Sequence, residues 1–264
     1  MSVEYERWLV ARGNVFSPGA DAILKLIAKL RAGRWIVDPS SADLGKLDFT
    51  GLREQRGQKT GAYAVRRIDN TFGADRDGLL AKIAASTESL PAPLDARWLD
   101  DPKREDVSLV WNVSSREPVL KYPLTSRPDG PVSYKLEVHR AADFVYPISE
   151  NIDPLPSECS CDNDLSFDWD PEEIENPFGA TTGIWTSCGE CSRTFDPSKE
   201  SAKVTNPFDG SEEDVAGGCA YRFAIKVDCG KSFVRDPKLA FAPELVALIE
   251  QEFGRGFYEV GSTY

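Results

Sequence analysis

The stretch from Cys159 to Cys191 reads CSCDNDLSFDWDPEEIENPFGATTGIWTSCGEC and holds four of the six cysteines of the chain. They form two close pairs, a CxC pair and, 26 residues later, a CxxC pair. Zinc takes four Cys or His ligands in tetrahedral geometry, and a CxxC turn supplies two of them at once. The spacing therefore predicts a structural Zn²⁺ site whose ligands are Cys159, Cys161, Cys188 and Cys191.

The CxxC half resembles the knuckle of zinc-ribbon modules. Cys188 and Cys191 of this chain match the ligand positions of that motif. The CxC half departs from that pattern, because the usual first pair is also CxxC. The resemblance covers this stretch alone, and it implies metal binding without implying an activity. The ligand set stays open, since Cys219 or Cys229 can replace a member of the first pair. Iron, a redox dithiol and unrelated buried thiols are the alternatives to zinc.

The composition is that of an acidic globular protein. The formal net charge is −12, from 43 acidic against 31 basic residues. Such a chain is repelled by nucleic acid phosphates and by anionic membranes. The N-terminus has no basic region followed by an apolar run, and no stretch reaches the roughly 18 apolar residues of a spanning helix. We therefore expect a cytoplasmic protein that binds neither nucleic acid nor membrane; its oligomeric state stays open.

The spacing of apolar residues predicts helices and strands along the whole chain. Ser17-Pro18 is expected to begin a helix that ends at Gly33 and buries Ile23, Leu24, Ile27 and Leu30. Other helices are predicted at residues 4–12, at 75–85 and from Pro243 onward. Strands are predicted at 34–37, 107–113, 132–139 with an extension at 144–148, 183–186, 221–229 and 257–260.

These elements indicate an α+β fold in which helices pack on a small mixed or antiparallel sheet. A zinc-clipped, loop-rich region is expected in the C-terminal half. A boundary near residue 150 separates an α+β N-terminal region, residues 1–150, from a zinc-containing α+β C-terminal region, residues 151–264. One α+β domain with a zinc-clipped insertion is the alternative to this division.

The charges of the chain are segregated along the sequence. No Lys or Arg occurs from Ala141 to Ser192, and residues 150–175 contain ten acids. The Gly-rich segment 51–67 is instead basic, with Arg53, Arg56, Lys59, Arg66 and Arg67. This segment is expected either to hold an anion or to be a solvated loop whose bases pair with acids elsewhere. It contains neither a Walker motif nor a GxGxxG motif, so nothing indicates a nucleotide.

His139 is the only histidine, which restricts the catalytic chemistry that the chain can perform. A catalytic zinc site with two or three His ligands is excluded, and any Ser-His-Asp or Cys-His mechanism has to use this residue. The sequence therefore favours a non-catalytic, zinc-stabilised module that binds a basic protein partner through an acidic face, for example as an inhibitor or immunity-type protein. The alternative is an enzyme whose anionic substrate is held by the segment 51–67.

Overall fold

The computed structural model describes most of the chain apart from several connecting segments. The described residues are 3–13, 15–37, 61–66, 76–115, 120–127, 132–146, 152–153, 161, 180–181, 188–193, 201–205, 210–216, 220–232 and 239–263. Among them, no helix is long and apolar enough to span a membrane.

The described elements alternate between strands and helices in the N-terminal half and are mostly strands later. The helices are α1 (Ala20–Ala32), α2 (Arg76–Ser86), α3 (Ala96–Leu99) and α4 (Pro243–Phe253). The strands before residue 150 are β1 (Val3–Ala11), β2 (Gly61–Arg66), β3 (Thr87–Ser89), β4 (Val107–Ser115) and β5 (Val132–Tyr146). The later strands are β6 (Ile152–Asp153), β7 (Ala180–Thr181), β8 (Ser201–Thr205), β9 (Glu212–Ala216), β10 (Tyr221–Ser232) and β11 (Phe257–Thr263).

An eight-stranded sheet forms the centre of the fold. Its order is β11-β1-β10-β5-β4-β2-β3, with β7 paired to one end of β5. The described strand pairs of this sheet are antiparallel, as are those of a smaller sheet with the order β6-β8-β9. The architecture is therefore α+β and dominated by antiparallel sheet, which confirms the predicted fold class at that level. The division at residue 150 stays a prediction, although strands from both sides of it pair in the large sheet.

The two faces of the large sheet bury different partners. One face packs against α1 and α4, where Ile23, Ile27, Leu245 and Ile249 lie in one core cluster with strand residues such as Phe223. On the other face, the smaller sheet contributes Val204 and Val215 to a second cluster that contains Trp8, Val10, Tyr221, Ala224 and Tyr258. Side chains alternate between the faces of a strand, so β1 and β10 serve both clusters.

Most of the predicted elements are present in the structure. Helices at 75–85 and from Pro243, and strands at 107–113, 132–139, 221–229 and 257–260, are confirmed with small shifts of their ends. The extension at 144–148 is part of β5 as far as Tyr146. Helix α1 begins at Ala20 rather than Ser17, because Gly19 occupies the N-cap position, and it ends before Gly33 as expected. The strand predicted at 183–186 lies outside the described residues.

Two predictions were wrong. Residues 4–12 are not a helix, because β1 pairs on one side with β10 and on the other with β11. Such a strand is covered on both faces, so consecutive side chains from Trp8 to Ala11 are buried and an alternating pattern is absent. Residues 34–37 are not a strand either. Arg34 has a positive φ of 61° and turns the chain, so that Trp35 and Ile36 enter the core from a loop.

Candidate metal centre

The CxxC motif forms a closed turn. The backbone N–H of Cys188 donates to the carbonyl of Arg193 at 2.8 Å, and the N–H of Ser192 donates to the carbonyl of Cys188 at 2.9 Å. Ser192 has a φ of +56°, the left-handed conformation that reverses the chain directly after Cys191. Both thiols are thereby presented on one side of a short, hydrogen-bonded loop.

Three cysteine thiols meet at this turn. The Sγ atoms of Cys161, Cys188 and Cys191 all lie within 4.8 Å of one another. The Cys161 and Cys188 sulfurs are 3.6 Å apart, and none of the three cysteines forms a disulfide. With about 2.3 Å for each Zn–S bond, two thiolates of a tetrahedral site lie about 3.8 Å apart, whereas a disulfide requires about 2.05 Å. The three cysteines can therefore hold a metal ion. Cys159, the fourth predicted ligand, lies outside the described residues.

The centre is covered on one side and open on the other. Cys188 is buried, with 2% of its surface exposed, whereas Cys161 and Cys191 are exposed. Glu190 and Arg193 on the same turn are also exposed. A metal ion at this position would lie near the surface of the protein. Such a site can hold a loop in place, since each bond to a thiolate joins distant parts of the chain.

Cys229 is not part of this centre. It lies on β10, where it packs against the large core, and the hydroxyl of Tyr122 donates to its Sγ atom at 3.2 Å. Burial raises the pKa of Cys229 to about 12, although the hydrogen bond from Tyr122 works in the opposite direction. The thiol is therefore protonated at neutral pH and a poor metal ligand. Cys229 therefore does not replace a ligand of the first pair, and Cys219, the other alternative ligand, lies outside the described residues.

His139 is held in a buried hydrogen-bonded chain on the face of the sheet opposite α1. Its Nε2 atom lies 2.9 Å from Oε2 of Glu137, and its Nδ1 atom lies 3.1 Å from the hydroxyl of Tyr221. An ionised carboxylate only accepts, so Nε2 carries the hydrogen, and in a neutral ring Nδ1 accepts from Tyr221. Ser108 donates to the same Glu137 oxygen at 2.9 Å. Nδ1 thus links β5 to Tyr221 of β10, whereas Nε2 bonds within β5 to Glu137, which Ser108 in turn links to β4.

The groups around this set of hydrogen-bonded side chains keep Glu137 charged. Burial would raise the pKa of Glu137, but the Lys226 ammonium and the hydrogen bond from His139 outweigh it and hold that pKa well below its usual range. Lys226 is itself paired with Glu6 at 3.0 Å and lies over the ring of Trp8. Sequence alternation placed His139 on a strand, but only the pairing of three strands reveals these partners.

A cavity that the sequence did not indicate is lined by residues of α4, of the smaller sheet and of β11. Its volume is about 670 Å³. The apolar part of its lining consists of Val204, Ala240, Phe241, Pro243, Val246 and Ala247, and the polar part consists of Arg12, Thr125, Ser211, Glu213, Glu250 and Glu259. These residues come from six separate parts of the chain. No local spacing could have connected them.

The two charged segments of the sequence contribute little to the described structure. Of the basic segment 51–67, only residues 61–66 are described, and they form β2. Arg66 donates from there to the carbonyl of Ala85 at 3.3 Å. Most of the acidic region 150–175 lies outside the described residues. Whether either segment binds a partner stays a prediction.

Comparison with known proteins identified no relative of this chain. No protein-family model, no curated protein and no solved structure matches this chain.

Proposed function

We propose that this protein is a non-catalytic protein-interaction module whose fold is stabilised by zinc. The observation that carries the proposal is that three cysteine Sγ atoms lie within 4.8 Å of one another, two of them on a closed CxxC turn. Thiolates select zinc among the common divalent ions, together with iron in Cys₄ sites. Zinc is the better candidate because it needs no redox partner and suits a structural role.

The fourth ligand in this proposal is Cys159, two residues before Cys161. Four thiolates close the tetrahedron and leave no open position for a substrate, which is the arrangement of a structural rather than a catalytic zinc site. Because Cys161 is 27 residues from Cys188 along the chain, the metal would tie the ends of a long connection together. Closing a long loop through a metal ion stabilises the folded chain, because the binding free energy of the metal becomes folding free energy.

The interaction partner in this proposal is a basic protein. The support is the charge of the chain, −12 overall, and its concentration in residues 150–175. Charge complementarity accelerates encounter and discriminates between partners, which is what an inhibitor or immunity-type protein requires. The cytoplasmic location belongs to the same proposal. The alternative of an enzyme that holds an anion at 51–67 stays a prediction, because most of that segment lies outside the described residues.

The metal is tested by elemental analysis of the purified full-length chain together with cysteine variants. We expect one zinc ion per chain, lost in Cys188→Ser and Cys191→Ser and accompanied by a lower melting temperature. Cys229→Ala is the matched control and should keep its zinc, since Cys229 lies with Tyr122 in the core. A chain without metal whose Cys188 and Cys191 react rapidly with thiol reagents would refute the zinc site and favour a redox dithiol.

The partner is tested by charge reversal. Asp168, Asp170, Glu172 and Glu173 are changed together to Lys, and the association rate with the captured basic partner is measured at several salt concentrations. We expect the rate to fall by about tenfold or more at low salt. The control reverses four exposed acids elsewhere, Asp77, Glu105, Asp214 and Glu244, so that the net charge changes equally. Equal rates in the two variants would refute an acidic docking face.

A further inference from the structure

The cavity beside α4 has the chemistry of a site for an organic cation. Three of its four charged lining residues are carboxylates, Glu213, Glu250 and Glu259, and the fourth is Arg12. Arg12 is already neutralised, because its Nη2 atom lies 3.0 Å from both carboxylate oxygens of Glu213. The volume of about 670 Å³ is within the range of about 300–1,000 Å³ that small-molecule sites occupy.

Glu259 is a largely buried carboxylate of this cavity, and its contacts compensate its burial only in part. Only 18% of its side chain is exposed. The backbone N–H of Phe241 donates to its two oxygens at 3.1 and 3.2 Å, and the Nε atom of Arg7 lies 3.9 Å away and donates instead to the carbonyl of Leu239. Burial raises the pKa of Glu259 to about 7, since these two contacts offset the desolvation only in part.

We propose that this cavity receives the ammonium group of a lysine side chain presented by the basic partner. The ammonium would lie against Glu259, and the apolar walls, which include Phe241 and Val246, would cover the methylene groups of the lysine. An ammonium on a four-carbon stem has this combination of a compact charge and an apolar body. The proposal rests on the basic partner proposed above and names the chemical group that it contributes.

Binding should depend on pH because the Glu259 carboxylate gains and loses its proton near neutral pH. The other ionisable groups around it are Arg7 from β1, Arg12 after β1, Glu213 from β9 and Glu250 from α4. Above neutral pH the Glu259 carboxylate is charged and attracts the ammonium, whereas protonation removes the attraction. We therefore expect affinity to rise as the pH is increased through about 7.

The experiment uses the zinc-loaded full chain and a lysine analogue with blocked backbone groups, Nα-acetyl-lysine methylamide. Its binding is followed by the NMR shift of the Phe241 amide, which donates directly to Glu259. The ligand efficiency of small molecules suggests a dissociation constant of about 1 mM. The neutral control probe carries a second acetyl group on Nε and should shift the amide much less.

Two variants distinguish the site from surface charge. Glu259→Gln should weaken binding of the lysine analogue at least about tenfold, because a charged hydrogen-bond partner is lost. Glu244→Gln removes an exposed carboxylate from α4, the helix beside the cavity, and should leave binding unchanged. Equal binding of the charged and neutral probes, or no shift at Phe241, would overturn the cavity proposal even if a basic partner is captured. If the analogue binds but the chain captures no basic protein, the proposed function is refuted while the cavity remains a cation site.

Discussion

Glu259 provides the sharpest quantitative test of the structure. Its pKa is raised from 4.5 to about 7, with burial as the main cause. The folded state therefore binds this proton more tightly than the unfolded state does. The resulting stability is complete below the unfolded pKa of 4.5 and is lost as the pH rises through the folded pKa of about 7. In Glu259→Gln this pH dependence disappears, while the amide oxygen still accepts from Phe241.

The size of the effect follows from the two pKa values. A shift from 4.5 to about 7 corresponds to about 3 kcal/mol in total, at 1.36 kcal/mol per pKa unit. Between pH 5.5 and pH 8.5 the wild-type free energy of unfolding should fall by about 2 kcal/mol relative to the variant. This interval lies above the isoelectric point of about 4.7, where the chain is expected to remain soluble.

The assay is urea denaturation of both proteins at the two pH values. Glu244→Gln, at an exposed position of α4, measures the effect of removing one surface charge. We expect Glu259→Gln to gain stability over the wild type as the pH rises, beyond any change seen in this control. If the free energy of unfolding differs between Glu259→Gln and the wild type by the same amount at both pH values, Glu259 is solvated. The cavity proposal would then lose its central contact.

Three further predictions concern the buried hydrogen bonds of Glu137 and the end of a helix. Ser108→Ala should lower the free energy of unfolding at neutral pH by about 1.5–3 kcal/mol, because a hydrogen bond to a charged acceptor is lost. The pKa of Glu137 is held below its ordinary value of 4.5, so the stability that its charge contributes is lost as the pH falls below that value; the Glu137→Gln variant should therefore approach the wild type in acid. Gly254 ends α4 with a φ of +62°, so Gly254→Ala should cost roughly 1 kcal/mol and Gly254→Asn less. Urea denaturation measures each of these; an alanine variant as stable as the asparagine variant would contradict the left-handed assignment.

Strands with one clear period could be predicted well from the sequence. In β5, Tyr134, Leu136 and Val138 face the helices while Glu137 and His139 face the other side, so an alternating pattern was visible. The amphipathic helices α1 and α4 were also predicted, since each buries one stripe of apolar residues. Local periodicity carries this information because each residue's direction depends only on its neighbours in the chain.

The position of β1 could not be predicted in the same way. Its Trp8 and Val10 face one core and Leu9 and Ala11 face the other, so the pattern lacks the period of a half-buried strand. The spacing of Tyr5, Trp8 and Leu9 then imitates a helical stripe. Pairing with β10 and β11, more than 200 residues away in the chain, is what makes this segment a strand.

The two candidate sites differ in the same way, because one is formed by neighbouring residues and the other by segments distant in the chain. The CxxC turn is local, so its two thiols were identified from the sequence by their spacing, and Cys161 by its proximity to a second cysteine. The cavity around Glu259 depends on contacts between β1, β9, α4 and β11, whose residues share no local pattern. The sequence by itself therefore determined the candidate metal ligands, the net charge, the helices α1, α2 and α4 and the strands β4, β5, β10 and β11, because turn geometry and periodicity act over a few residues. The tertiary structure alone decided which carboxylate is buried beside Phe241 and what His139 contacts, because burial arises only when distant segments pack together.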